Sequence, residues 1–389
     1  MKLMHLSDLH IGKRVNEFSM IDDQKFILAQ ILALAEKECP EGVIIAGDVY
    51  DKPIPGVEAV RLFDHFLTEI AGLQIPVFMI SGNHDSVERL SFGARLMEKR
   101  NVHISEVYDG TIKKVRLQDA YGPVDIWLLP FLKPAAVRHG LEAAGEAEIP
   151  EISSCQDAVK TALERIHPDR EVRNVLIAHQ FVTGAERCES EEIIAGGLDQ
   201  VDASLFEDFD YVALGHLHSP QKVIRETIRY CGTPLKYSFS ECRQQKSVTM
   251  VELGEKGTTE IRTVPLKPLH DMRVIRGTYM EVTAKSFYEG TNQSDYLKII
   301  LTDEEDIPDG LQKLRIIYPN LMRLEYDNCR TRENRKVEGN AAVEQRSELE
   351  LFEEFFAVQN NQEMTREQRK FAETLIGEIR EKSAGKDRE

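Results

Sequence analysis

Short apolar runs at residues 3–6, 43–46, 77–80, 175–178 and 211–214 constrain this chain more than any other feature of its sequence. They are bounded by polar residues, rich in Val and Ile, and free of strict alternation, so they read as strands buried on both faces. Helical patterns separate the first three. Phe26, Ile27, Gln30, Ile31, Leu34 and Ala35 recur at helical spacing, as do Val60, Phe63, Phe66, Leu67 and Ile70. Strand–helix–strand alternation implies right-handed crossovers and a layered α/β sheet.

Where each run stops is more informative still. The first leads into Asp8 and His10, the second into Gly47, Asp48 and Asp51, and the third into Gly82, Asn83, His84 and Asp85. The fourth leads into His179, and the fifth into Gly215, His216 and His218. In open α/β sheets the ligand crevice lies beyond the carboxyl ends of the strands. Asp8, His10, Asp48, Asn83, His179, His216 and His218 would then converge on one place. Mixed oxygen and imidazole donors suit Mn, Fe or Zn better than Ca or Mg alone. Such a set is about right for two cations if one carboxylate bridges them, and a pair ~3.5–4 Å apart is the usual device for hydrolysing a phosphoester. Glycines before Asp48, Asn83 and His216 suit sharp turns where a side chain would crowd the metals. Taken singly these fragments are weak, because GD and GNHD are common turn and helix-cap sequences. Their joint occurrence after every apolar run carries the reading.

The rest of the chain sets limits. Its 389 residues imply two or three domains. Apolar runs of at most about six residues cannot span a membrane. The start, MKLMHLSDLH, turns polar too early for a signal peptide, so a cytoplasmic location is expected. Cys39, Cys155, Cys188, Cys231, Cys242 and Cys329 are scattered, which indicates neither a disulfide framework nor a thiolate zinc site. The net charge of −17 argues at first against a nucleic-acid partner. A carboxylate metal site is acidic by necessity, however, and its cations supply positive charge where phosphate must sit. A local basic surface or a second subunit would have to help. Lys13 and Arg14 are either phosphate contacts or solvated loop charges. The other histidines, His5, His65, His103, His139, His167 and His270, fall outside the pattern and read as core or surface residues.

From about Arg273 the pattern changes. Residues 272–282, 296–301 and 321–326 read as strands and 309–317 as a helix, a small α/β appendage. This divides the chain into 1–270, an appendage at 271–330, a polar linker at 331–346 and helices at 347–383. Two capping-box signatures open those helices, Ser347 with Glu350 and Thr365 with Gln368. Leu349, Phe352, Phe355 and Phe356 form one apolar stripe, and Phe371, Leu375, Ile376 and Ile379 another.

The motifs D-x-H, GD-x-x-D, GNH-D, a lone His and GH-x-H resemble those of the calcineurin-like metallophosphoesterase superfamily. Within it, residues 7–12, 129–134 and 230–241 resemble the nuclease subunits of bacterial SbcCD complexes, counterparts of the eukaryotic meiotic-recombination nuclease. Residues 1–270 carry the likeness by motif and the remainder by layout. The resemblance implies an α/β fold: a layered sheet sandwich with a small α/β capping domain over DNA and C-terminal helices. It implies two divalent cations, preferably Mn²⁺, one held by Asp8, His10, Asp48 and His218 and the other by Asp48, Asn83, His179 and His216. His84 would act on the scissile phosphate. Asp51 stands where many phosphatases of the superfamily place a carboxylate that orients this histidine, and where archaeal relatives of the nuclease place a His.

The same resemblance implies a DNA exonuclease and endonuclease acting on double-strand ends and hairpins, in DNA repair and recombination. Its partners would be DNA and an SMC-like ATPase subunit bound through the C-terminal helices. No GxxxxGK[ST] motif occurs in the chain, so ATP dependence would come from that other chain. A homodimer is expected through the apolar stripes at 57–70 and 90–97. The alternatives are another two-metal enzyme of the fold, a phosphoprotein phosphatase or cyclic-nucleotide phosphodiesterase, and a non-catalytic scaffold. A complete ligand set argues against the scaffold, and the C-terminal extension argues against a simple phosphatase.

Overall fold

A computed structural model describes residues 1–186, 188, 191, 200–332, 349, 352, 353, 356 and 364–386, with side chains in the last helix to residue 376. The chain divides into two compact units, Met1–Met272 and Arg273–Glu389.

The first unit is a sandwich of two six-stranded sheets. One sheet runs Thr259–Pro265, Ser247–Leu253, Lys2–Leu6, Gly42–Ala46, Val77–Ile80, Val102–Ile104 in spatial order. The other runs Gln221–Val223, Arg225–Tyr230, Tyr211–Gly215, Arg173–His179, Gly122–Leu128, Lys113–Asp119. The five apolar runs of the sequence occupy the middle of these sheets, but not of one sheet. Three pair in parallel in the first and two in parallel in the second. Leu3, Ile44, Phe78 and Ile80 from one side meet Ile126, Val175, Ile177 and Ala213 from the other in a dry core between the sheets. Burying each large apolar side chain of this set contributes ~1.5–3 kcal/mol. His5 lies inside this layer, and its Nδ1 is 2.9 Å from the Tyr211 hydroxyl across the sandwich. Burial pushes the His5 pKa down to about 3, so the ring is a neutral core residue.

Helices cover the outer faces. Ile21–Glu38 buries Ile27, Leu28, Ile31 and Ala35, and Val57–Gly72 buries Ala59, Phe63, Phe66 and Ile70. Behind the second sheet, Pro134–Ala143 and Cys155–Glu164 bury Val137, Leu141, Ala158 and Val159. The expected stripe at 90–97 is broken at Gly93, whose φ of 75° separates the one-turn helices Val87–Leu90 and Ala94–Met97.

The second unit holds a three-stranded sheet of Met272–Gly277, Tyr296–Leu301 and Leu321–Tyr326. Its core gathers Val282, Leu297, Ile299, Leu301, Leu314 and Tyr318. The strand expected over 272–282 stops at Gly277, because Thr278 and Glu281 form a capping box that starts the helix Tyr279–Thr283. The Thr365–Gln368 box is present at Arg366–Lys386: the Gln368 N–H donates to Thr365 Oγ1 at 3.3 Å, and the Thr365 N–H to Gln368 Oε1 at 2.9 Å. The linker beyond residue 332, the Ser347–Glu350 box and Phe355 lie outside the described residues, as does the side chain of Ile379. Among the described residues no helix is long and apolar enough to cross a membrane.

Candidate metal centre

The backbone beyond the strands is unusual before any side chain is considered. Asp8, His10, Asp48 and His216 have φ values of 51°, 44°, 48° and 106°. L residues avoid this region, at a cost of ~1–3 kcal/mol each, and such residues cluster where surroundings over-determine them for function. Here the surroundings are two loops laid side by side. The Asp8 N–H donates to the Gly47 carbonyl at 3.1 Å and the His10 N–H to the Asp48 carbonyl at 2.9 Å. The Asp85 carboxylate ties in the third strand end by accepting the N–H groups of Val49, Tyr50 and Gly82 at 3.0–3.1 Å. Glycine is required at 82 and 215 by close approach. A Cβ on Gly82 would meet Asp48 Oδ1 at 2.1 Å, and one on Gly215 would meet the Ala46 carbonyl oxygen at 1.8 Å.

These loops bring the seven expected residues together. His10 Nε2 and His218 Nε2 face each other at 3.2 Å. Asn83 Oδ1 lies 3.0 Å from both His179 Nε2 and His216 Nδ1. Asp48 Oδ2 stands between the two groups, 3.7 Å from His10 Nε2 and 3.3 Å from His179 Nε2. Asp8 accepts the His216 N–H at 2.9 Å. Donor atoms of Asp8, His10 and His218, of Asp8, Asp48 and His179, and of His10, Asp48 and His84 each lie close enough to share one ion.

The His179 tautomer is settled by its surroundings. Its Nδ1–H donates to the Ala46 carbonyl at 2.8 Å, so in the neutral ring that a metal requires Nε2 turns a lone pair toward Asn83 Oδ1 and Asp48 Oδ2. Three lone-pair atoms aimed at one point repel one another unless a cation sits among them. The donor set therefore fits divalent cations. Without a metal, a proton fills that role: burial alone would lower the His179 pKa, but the Asp48 carboxylate more than offsets it and lifts it to about 9, so Nε2 holds a proton that a bound cation would displace. Burial raises the Asp8 carboxyl, and His10 is driven well below its usual value by the same cause. Burial works against an ionised Asp48, yet His179 and His10 hold its pKa down.

His84 and Asp51 sit at the edge of the cluster. The His84 ring packs edge-on to His10 with centroids 4.8 Å apart, and its backbone N–H donates to Asp48 Oδ1 at 2.8 Å. The orienting carboxylate expected of Asp51 is not what His84 meets. Its Nδ1 lies 3.0 Å from the Asp51 backbone carbonyl. The Asp51 carboxylate instead takes Lys13 Nζ at 2.6 Å and stands 3.6 Å from His10 Nδ1. Lys13 is thus engaged within the site, and Arg14 bonds to the Glu17 carbonyl.

Sequence reasoning missed the layer behind the ligands. Gln24 Nε2 donates to the His10 carbonyl at 2.7 Å and to the Tyr237 hydroxyl at 2.9 Å, while the Tyr237 hydroxyl donates to the Leu9 carbonyl at 2.7 Å. The Tyr237 ring lies against both His10 and His218. Phe131 stacks on His216 at 6.4 Å. The signal available was that Phe131 and Tyr237 fall in the stretches 129–134 and 230–241, to which the residues alone assigned no role.

Residues 1–220 match the family model for calcineurin-like phosphoesterases, and residues 268–360 match that for the type 5 capsule protein repressor C-terminal domain. A protein of Staphylococcus epidermidis, named as the D subunit of the nuclease SbcCD, is 34% identical over 83% of this chain and 85% of its own length. Its namesake in Staphylococcus saprophyticus is 33% identical over 83% of this chain and 84% of its own. With the phosphoesterase match spanning every strand end that carries the cluster, the chain belongs to the calcineurin-like phosphoesterases and, within them, to the family of SbcD-type nucleases, enzymes that hydrolyse phosphodiesters with divalent cations.

Proposed function

We propose that the chain is a Mn²⁺-dependent DNA exonuclease and endonuclease, active on double-strand ends and hairpins, working in the cytoplasm with an SMC-like ATPase subunit in DNA repair and recombination. The observation that carries the reading is the convergence of lone-pair atoms from seven side chains at the carboxyl ends of two sheets. One cation would be held by Asp8, His10, Asp48 and His218, and the other by Asp48, Asn83, His179 and His216. The place of Asp48 Oδ2 between His10 and His179 favours it as the shared ligand. When bound, two such ions polarise a phosphoryl oxygen and make water nucleophilic at neutral pH.

The chain's own residues do the rest. The Ala46 carbonyl holds a proton on His179 Nδ1 and so keeps Nε2 free. The Asp51 carbonyl holds a proton on His84 Nδ1. His84 Nε2 is then the atom that exchanges a proton with the scissile phosphate or its leaving oxygen. Asp51, engaged with Lys13 and 3.6 Å from His10, steadies His10 rather than His84.

Two surfaces suit the expected partners. Phe92 is 82% exposed, and Leu96, Val57 and Val60 are exposed beside the third strand, which favours a homodimer through this face. In the second unit, Phe352, Phe356, Met364, Phe371, Leu375 and Ile376 line an apolar groove of about 370 Å³. Such a groove suits helix-in-groove docking of the ATPase. The residues at 271–330 would guide DNA.

Supercoiled plasmid and p-nitrophenyl phosphate, each incubated with the purified chain and Mn²⁺, test the reading. Plasmid cleavage that is stimulated by the ATPase subunit and ATP is expected. Turnover of the small ester with intact plasmid would assign the site to a phosphatase.

A further inference from the structure

The stretch from Glu241 to Lys246 carries charged groups that the metal centre as described does not use. Glu241 is fully buried and Lys246 beside it is 4% exposed. Two charges go that deep only when each is matched. All three donors of the ammonium are spent: Lys246 Nζ donates to Glu241 Oε2 at 2.6 Å, to the His218 carbonyl at 2.8 Å and to Gln244 Oε1 at 2.8 Å. The other carboxylate oxygen, Oε1, stands 3.6 Å from His218 Nδ1, within ion-pair range. The opposite ring nitrogen, Nε2, is the one that faces His10. The His218 backbone is gripped as well. Its N–H donates to Glu191 Oε1 at 2.6 Å, and its carbonyl accepts the Thr233 N–H at 3.2 Å.

A buried pair that merely filled the core could be exchanged for apolar residues at little cost. This one is aimed at the far nitrogen of a ligand. A ligating histidine usually gives its second N–H to a carboxylate, which fixes the tautomer and makes the ring a better donor. We propose that Glu241, anchored by Lys246, is the positioning carboxylate of His218, keeping a proton on Nδ1 and turning Nε2 toward the Asp8–His10 pole. The inference rests on the two-cation reading given above.

Mn²⁺ titrated calorimetrically into the full chain tests it, using the unaltered protein, Glu241→Gln, and Glu241→Gln combined with Lys246→Met. The double variant removes both buried charges together, so it should fold where the single variant, which strands an ammonium, does not. Melting curves without metal check this. The unaltered chain should bind two ions. In the folded variant one step should weaken ~10–100-fold, the magnitude typical of such outer partners, while the other is unchanged and excess Mn²⁺ restores cleavage. Two unchanged steps in a folded variant would overturn the inference and leave the site reading intact. An unaltered chain that binds fewer than two ions would overturn the site reading itself. Should neither variant fold, ¹⁵N-histidine spectra of the unaltered chain with Zn²⁺ decide, the His218 signals being assigned through His218→Gln. A proton on Nδ1 and metal on Nε2 are expected, and the reverse would refute the assignment.

Discussion

His84 is held by the backbone of Asp51, not by its side chain: Nδ1 lies 3.0 Å from the Asp51 carbonyl oxygen, while the carboxylate turns to Lys13. The two residues therefore separate under mutation. His84→Gln should keep both metals and DNA affinity and slow cleavage by ~10²–10⁴-fold, the usual contribution of a general acid–base group. Asp51→Asn keeps the carbonyl and should cost far less, with its effect in metal affinity at the His10 pole. Single-turnover rates at saturating Mn²⁺ check the first, and Mn²⁺ titration checks the second. A metal site emptied by His84→Gln would make His84 a ligand.

Asp48 is the residue whose loss should be felt at both poles. Its Oδ2 lies between His10 and His179, and it sits beyond the strand Gly42–Ala46 rather than within it. Asp48→Ala should stay folded, lose both cations and retain almost no hydrolysis. Elemental analysis finding two metals per chain would contradict the shared-ligand assignment.

Gly82→Ala tests the close approach of the third strand end to that carboxylate. The added methyl would meet Asp48 Oδ1 at 2.1 Å and the Asp48 nitrogen at 2.5 Å. Overpacking of this kind costs ~1–3 kcal/mol, and here the strain falls on the ligand loops. Metal affinity should drop at least ~10-fold, read by Mn²⁺ titration, with a smaller loss of thermal stability. Unchanged affinity would mean the loops can part freely.

An ion pair far from the metals should shape acid stability. Arg173, 3% exposed, donates to Asp119 Oδ2 at 3.0 Å and holds the carboxyl well below its ordinary pKa. Because the folded value is depressed, the stabilisation is fully present above the unfolded value, ~4, and is lost as pH falls through the lower folded value. Asp119→Asn should cost ~1.5–3 kcal/mol at pH 7, in the range for hydrogen bonds to charged groups. Denaturant curves should show that gap closing below about pH 4. A gap that persists there would point to packing.

Truncation after Glu344 removes the apolar groove around Phe371, which is 70% exposed, and Leu375. Binding to the ATPase subunit should be abolished, while Mn²⁺-dependent cleavage by the isolated chain persists. Phe371→Asp within the full chain should weaken that binding at least ~10-fold, since buried aromatic anchors carry most of such interfaces. Complex formation by the truncated chain would place the docking surface elsewhere.

What the sequence determined by itself is local. The apolar runs at 43–46 and 77–80 are too short for buried helices and satisfy their backbone as paired strands, and the Asp, Asn and His residues that follow cannot be buried without partners or cations. Strand identity and the donor types were therefore legible from neighbours along the chain. Tertiary structure decided what depends on separations that reach 208 residues and more. It split the five runs between two sheets and set His10 against His218. It also set His84 Nδ1 against a backbone carbonyl that no side-chain pattern encodes. Glu241, Lys246 and Tyr237 stayed silent for the same reason. Their roles arise only once the chain returns behind the ligands, and a buried carboxylate, ammonium or phenol has no periodicity to announce it.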